Sequence, residues 1–152
     1  MNQNNRIVFG IGSNLGDRQD NICKAISLLT IHLQLTKPKQ SFFLINPALL
    51  PTNCPPDWNI DFINIAFSAD INTRLFPPLS ILHTCKSIET QLGRKIQQKW
   101  SPRLIDIDIL MIDNQKISLE PILTIPHYDL LNRSFFLDTT KYIEPSLITF
   151  FT

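Results

Sequence analysis

Apolar residues recur with two different periods along this 152-residue chain, and the changes of period predict its elements. Residues 6–13, Arg-Ile-Val-Phe-Gly-Ile-Gly-Ser, read as a buried strand in which Gly10 and Gly12 leave one face almost bare. Asn14-Leu15-Gly16-Asp17 reads as a turn with Asp17 capping a helix, and Ile22, Ala25, Ile26, Leu29 and Leu33 follow at helical spacing. Residues 39–46 predict a second strand. Over 47–60 four prolines interrupt all periodicity, so a long loop is expected, of a length that is often functional. Trp58 within it either packs on the surface or covers a ligand. Alternation returns over 61–71, with Ile63, Ile65, Phe67 and Ala69 on one face and Phe62, Asn64, Ala66 and Ser68 on the other. Pro77-Pro78 suits a helix start, Ile81, Leu82, Cys85, Ile88 and Leu92 form its stripe, and Gly93 suits its stop. A strand over 105–109, a turn at Asp113-Asn114 and an extended piece around Ile117 come next.

Strand, helix, strand, strand, helix, strand is the βαββαβ order of a ferredoxin-like α+β fold, an antiparallel sheet with both main helices on one face. The weakly helical stretch 128–143 adds a C-terminal helical extension over the other face. The length suits one domain, 1–152. The net charge of +1 argues against a broad nucleic-acid-binding face. Arg94, Lys95, Lys99 and Arg103 nevertheless crowd into one short segment and keep a local anion site open. Cys23, Cys54 and Cys85 have no metal-ligand spacing; two fall on apolar helix faces, so buried free thiols are expected. The first residues lack a secretory pattern and no apolar run would span a bilayer, so a cytoplasmic monomer without a membrane or nucleic-acid partner is expected.

The chemistry concentrates in Trp100-Ser101-Pro102-Arg103-Leu104-Ile105-Asp106-Ile107-Asp108-Ile109-Leu110. Strict alternation from Ile105 to Ile109 puts Asp106 and Asp108 on one strand face, about 6–7 Å apart. Their repulsion is only ~0.6 kcal/mol in water but ~2.5 kcal/mol at an effective dielectric near 20. A partly enclosed pair therefore calls for a cation, and Mg²⁺ carrying phosphates is the commonest answer. An amphipathic strand can equally turn two aspartates to water. Neighbours decide between the two readings. If the apolar faces of the strands pack on the helices, Phe62, Asn64, Asp106 and Asp108 share the second face of one sheet. The Asn64 amide offers both a donor and an acceptor to a ring with amide-like edges. Arg94 and Arg103 bracket the approach to the strand with phosphate-matching forks. Pro126-His127-Tyr128 with Arg133 supplies further phosphate-capable donors. No Walker loop or protein-kinase signature is present.

Those residues carry a family resemblance. Gly12-Ser13-Asn14-Leu15-Gly16-Asp17-Arg18, Phe62-Ile63-Asn64, Ile88-Glu89-Thr90-Gln91-Leu92-Gly93-Arg94, Trp100 through Leu110, Thr124-Ile125-Pro126-His127-Tyr128 and Arg133-Ser134-Phe135 together resemble the 6-hydroxymethyl-7,8-dihydropterin pyrophosphokinases of folate biosynthesis. The resemblance covers nearly the whole chain. It implies ATP as co-substrate, two Mg²⁺ ions, and transfer of a pyrophosphoryl group to the dihydropterin with release of AMP. By motif match, Asp106 and Asp108 hold metal and, with Arg94 and Arg103, form the catalytic set. Arg94, Trp100, Arg103, His127, Tyr128 and Arg133 surround the triphosphate, and Leu82, Ile109 and Thr124 lie near the adenine. Asn64 reads the pterin edge between Phe62 and Phe135, with Pro47 and Leu49 completing the pocket. The basic segment 94–100 is expected to close on ATP.

The chain also departs from the family pattern. Ile96 stands where a second arginine is frequent, Phe62 where tyrosine is common, Asn46 where threonine is usual, and Ile122 in place of a basic residue. Two other readings remain open on the residues alone. One is a different metal-dependent nucleotidyl- or phosphoryl-transferase on the same fold. The other is an RNA-binding module, which the near-zero charge and acidic residues on the binding face weaken.

Overall fold

The structure is a computed structural model and describes residues 4–95 and 99–152. Strand β1 (Asn4–Ser13) pairs antiparallel on one side with β4 (Phe62–Asn72) and on the other with β5 (Asp106–Ile112). Strands β2 (Thr36–Gln40) and β3 (Leu44–Asn46) share the outer edge of β4 and complete a five-stranded sheet. Helices α1 (Arg18–His32) and α2 (Pro78–Gln91) cover one face; α3 (Ser134–Ile143) and the short α4 (Pro145–Ile148) lie on the other. Strands β6 (Ile117–Leu119) and β7 (Leu123–Ile125) form a separate hairpin. The expected antiparallel α+β fold is present, and the helical extension expected over 128–143 begins only at Ser134, after turns.

The local chemistry explains the boundaries. Asp17 caps α1 by accepting the Asp20 N–H at 3.1 Å, a contact worth about 1 kcal/mol. Two prolines open α2, and Gly93 follows it at φ +104°, in the left-handed region that ends helices. Period two then gives the strands two buried faces. Ile7, Phe9 and Ile11 of β1 join the core under α1 and α2, with Ile63, Ile65, Phe67, Ile107 and Ile109 beside them. Val8, Ala66 and Leu110 point the other way, into a smaller core with Phe136 and Ile143 of α3. Beyond Val8 the far-side positions of β1 are Gly10 and Gly12, whose lack of side chains lets Phe136 and Asn64 approach the strand closely. Arg6 ties the C-terminal helices to the sheet. Its Nε donates to Glu144 Oε1 at 2.6 Å and its Nη1 to Asp70 Oδ1 at 3.1 Å.

Two expectations are corrected. The sequence predicts one strand over 39–46, but the structure has β2 and β3. Gln40 faces Phe67 and Leu44 faces Asn64, so four steps on the edge span three on β4. Ser41 makes the jump possible: its N–H donates to Ala66 O and its Oγ accepts the Ala66 N–H, both at 2.9 Å. The side chain thus replaces a backbone acceptor, as at a β-bulge. Cys23 is exposed, because the buried stripe of α1 runs through Ile22, Ala25 and Leu29 and leaves it one position off. Cys85 is buried as expected, and Cys54 is half-buried. Among the described residues no helix is long and apolar enough to cross a membrane.

Candidate active site

The floor of the site follows from strand register. Gly12 lies between Asn64 on β4 and Asp106 on β5, and Gly10 between Ala66 and Asp108. With strands about 4.8 Å apart, Asn64 and Asp106 stand roughly 10 Å from each other across a bare glycine. A cavity of about 340 Å³ opens over this floor. Asn46, Leu49, Phe62, Asn64 and Phe135 line one part of it. Arg94, Arg103, Asp106, Asp108, His127 and Arg133 line another, so an aromatic-amide region adjoins a charged one. The glycines are required. A Cβ on Gly10 would lie 2.9 Å from Phe136 Cε1, and one on Gly12 would strike Asn64 Oδ1. Gly12→Ala is therefore expected to raise the KM for a ring-shaped ligand at least tenfold, about 1.4 kcal/mol, through displacement of Asn64. Steady-state kinetics would check it, and an unchanged KM would contradict the close approach.

The two aspartates have different surroundings. Asp106 Oδ1 accepts from Arg94 Nη1 at 3.0 Å, and its Oδ2 from Arg103 Nη1 at 3.2 Å. Asp108 has, among the described residues, only the His127 imidazole within ion-pair distance, Nε2 to Oδ1 at 3.8 Å. Its side chain is 30% exposed to the cavity. Protein walls still limit its hydration, and with the charge of Asp106 beside it the carboxyl is pushed up to about 8. His127 is held below its ordinary value, chiefly by burial and then by Arg133. Its Nδ1 accepts the Asp129 N–H at 3.1 Å, so a neutral ring presents Nε2–H toward Asp108. Tyr128 stacks on that ring with centroids 4.6 Å apart, and Phe136 meets its edge at 5.1 Å. Arg133 is anchored by Asp129 at 2.8 Å.

Several further residues carry this arrangement. Glu89, 3% exposed, accepts from Arg94 Nη1 at 2.8 Å and from the Ile107 N–H at 2.8 Å. It therefore fixes a guanidinium and strand β5 together. Burial, then the charge of Asp106, pushes its carboxyl above the ordinary range. Asn14, 2% exposed, accepts the Arg103 N–H at 2.7 Å and donates to Ile60 O at 3.1 Å, joining the loop before β4 to the loop before β5. Lys86 of α2 and Ser101 also line the cavity. For Glu89 the available signal was an acid on the apolar stripe, one residue after Ile88. For Asn14 there was none beyond its place in the turn motif.

Not every candidate comes together. Pro47, Leu82, Ile109 and Thr124 do not line the cavity. Alternation turns Ile109 into the helix-side core, opposite Asp108, and Leu82 packs against the same core. Thr124 sits on β7, and Pro47 is exposed. Trp58 lies in a short 3₁₀ turn, half-buried and outside the cavity. Trp100 does line it, at φ +75° with Lys99 Nζ 5.1 Å from its ring centroid. The basic segment expected to close over ATP is only partly described: Ile96, with the two residues after it, lies outside the described residues.

The donor set fits a hard divalent cation shared with phosphate. Among the described residues no cluster of three His, Cys, Asp or Glu could hold an ion alone. Two carboxylates on one strand face supply only part of an octahedral shell, the usual situation for Mg²⁺ completed by phosphate oxygens and water. The raised carboxyl of Asp108 is what a nearby cation would relieve. Its effect on stability has a definite sign. From its ordinary 3.8 up to about 8 the folded chain holds a proton that the unfolded chain releases, so stability falls as pH rises through that window. His127 acts oppositely below its ordinary 6.5, which leaves 6.5 to about 8 as the clean range. The melting temperature of the metal-free chain is expected to fall across it, and Mg²⁺ with a non-hydrolysable ATP analogue to flatten the slope. A melting temperature that rises over the range would refute this.

The chain is similar to known proteins in sequence and in fold. The family model described as 7,8-dihydro-6-hydroxymethylpterin-pyrophosphokinase (HPPK) matches residues 8–145. The 2-amino-4-hydroxy-6-hydroxymethyldihydropteridine pyrophosphokinase of Aquifex aeolicus is 34% identical over 146 residues, covering 93% of this chain and 82% of the relative. The folate synthesis bifunctional protein of Chlamydia caviae is 34% identical over 143 residues; the chain spans only 31% of that relative's length. The crystal structure of wild-type Plasmodium falciparum HPPK-DHPS with pteroate superposes with a TM-score of 0.64 at 17% identity, over 97% of this chain and 40% of that one. At that identity the likeness shows the fold. The sequence match runs from Val8 within β1 to Pro145 at the start of α4 and takes in the whole cavity, and the chain belongs to the 7,8-dihydro-6-hydroxymethylpterin-pyrophosphokinase family.

Proposed function

We propose that this chain, as a single pyrophosphokinase domain, transfers the β,γ-diphosphoryl group of ATP to the hydroxymethyl oxygen of 6-hydroxymethyl-7,8-dihydropterin. The observation that carries the reading is the row Asn64–Gly12–Asp106, which sets an amide and a carboxylate about two strand spacings apart over a side-chain-free floor. The flat acceptor lies on the amide side between Phe62 and Phe135, and the triphosphate on the charged side. The oxygen–Pβ bond forms, the bond from Pβ to the oxygen bridging Pα breaks, AMP leaves with that oxygen, and the hydroxymethyl proton is released.

The protein's part is positioning and electrostatics. Arg94 and Arg103, already turned toward Asp106, take phosphate oxygens with their remaining N–H groups. Arg133 and Tyr128 hold the outer phosphates, and neutral His127 offers Nε2–H without adding charge. Asp106 and Asp108 would hold Mg²⁺, two ions in all, which when bound offsets phosphate charge and favours the deprotonated hydroxyl. The acting unit is a cytoplasmic monomer.

The test is an assay with Mg-ATP and the dihydropterin, resolving nucleotides by chromatography. AMP and the pterin diphosphate are expected in equal amounts. ADP, or AMP independent of the pterin, would overturn the reading.

A further inference from the structure

The geometry points to Asn46 as the residue that sets the order of donor and acceptor presented by Asn64, and so decides which heterocyclic edge the cavity accepts. This rests on the pterin reading given above and concerns how the same site discriminates. Asn64, 7% exposed, projects from β4 onto the cavity. A side-chain amide has two nearly isosteric ends, so shape alone does not fix which end faces a ligand. Here a relay of hydrogen bonds does. The Pro47 carbonyl, which can only accept, takes the Asn46 Nδ2–H at 3.1 Å. That turns Asn46 Oδ1 toward Asn64, whose Nδ2–H donates to it. Asn64 Oδ1 is left beside Gly12, over the floor. A backbone carbonyl thus dictates, through Asn46, that an acceptor faces the cavity there.

The register makes the relay possible. Asn46 faces Phe62 and Leu44 faces Asn64 on β4, after the extra residue at Ser41 has shifted the edge strand. A 2-aminopyrimidinone edge offers donors at its ring N–H and amino group beside a carbonyl acceptor. Its 2-oxo, lumazine-type counterpart has nearly the same outline but replaces the amino donors with an acceptor. A fixed Asn64 rejects the second ring because two acceptors would meet without a proton between them. A freely turning Asn64 accommodates both.

The experiment measures kcat/KM for 6-hydroxymethyl-7,8-dihydropterin and for its 2-oxo analogue, with the KM for Mg-ATP and the melting temperature alongside. In Asn46→Leu the preference for the amino ring is expected to fall at least tenfold, with the KM for Mg-ATP changed less than about threefold. Asn46→Asp retains an acceptor opposite Asn64 Nδ2 and should keep the preference within about threefold of the parent. A loss of stability alone cannot produce that split, and Asn46→Ala supplies the same test if the leucine variant does not fold. A leucine or alanine variant as selective as the parent overturns the proposal. So does an aspartate variant as unselective as leucine. A parent chain that forms no AMP from the pterin overturns the functional reading itself, a distinct outcome.

Discussion

Asp108→Asn is expected to lower kcat by about 1,000-fold while raising the melting temperature of the ligand-free chain near pH 7.5. The two effects share one cause. Burial beside Asp106 makes an ionised Asp108 unfavourable until a cation arrives, so the amide relieves the fold and removes the ligand together. Asp106 should behave differently. It neutralises two guanidiniums, at 3.0 and 3.2 Å, so Asp106→Asn leaves Arg94 and Arg103 under-compensated and should lower both kcat and the melting temperature. Two aspartates merely turned to water would give near-normal rates and no opposed shifts in stability. Kinetics and thermal melts on the two variants separate the readings.

Glu89→Ala should cost about 3–5 kcal/mol of stability, the range for removing one partner of a buried pair. The carboxylate is 3% exposed and satisfies both Arg94 and the Ile107 N–H. Its loss also frees Arg94 to drift, and a 1 Å misplacement of a positioning group costs about 100-fold in rate. Glu89→Gln keeps an acceptor for Ile107 and should recover most of the stability but little of the Arg94 placement. Denaturant unfolding with kcat/KM for ATP would show it. An alanine variant as stable as the parent would contradict a structural role for the buried carboxylate.

Alternation and helical spacing were enough to place the cavity, because Asn64, Asp106 and Asp108 sit in strands whose other face is unmistakably apolar. The same rule, applied strictly, puts Ile109 opposite Asp108, so its absence from the cavity follows from the pattern that located the aspartates. What escaped the sequence was bonding that crosses the chain. Ser41 reads as an ordinary strand residue, yet it breaks the edge by trading its hydroxyl for a backbone acceptor. Glu89 becomes intelligible only when Arg94 and Ile107 are seen to meet it, and Asn14 only when Arg103 and Ile60 do. Cys23 shows the limit of a helical stripe: one position, about 100°, separates core from solvent.

The glycine floor also bears on how durable a drug directed at this cavity would be. Resistance commonly arises when a wall side chain changes shape and sheds the compound. At Gly10 and Gly12 the only change available is to add atoms, which meet Phe136 or Asn64 before they meet the drug. A flat inhibitor that draws its affinity from the backbone of β1 would therefore leave escape variants few routes that spare the enzyme's own substrate.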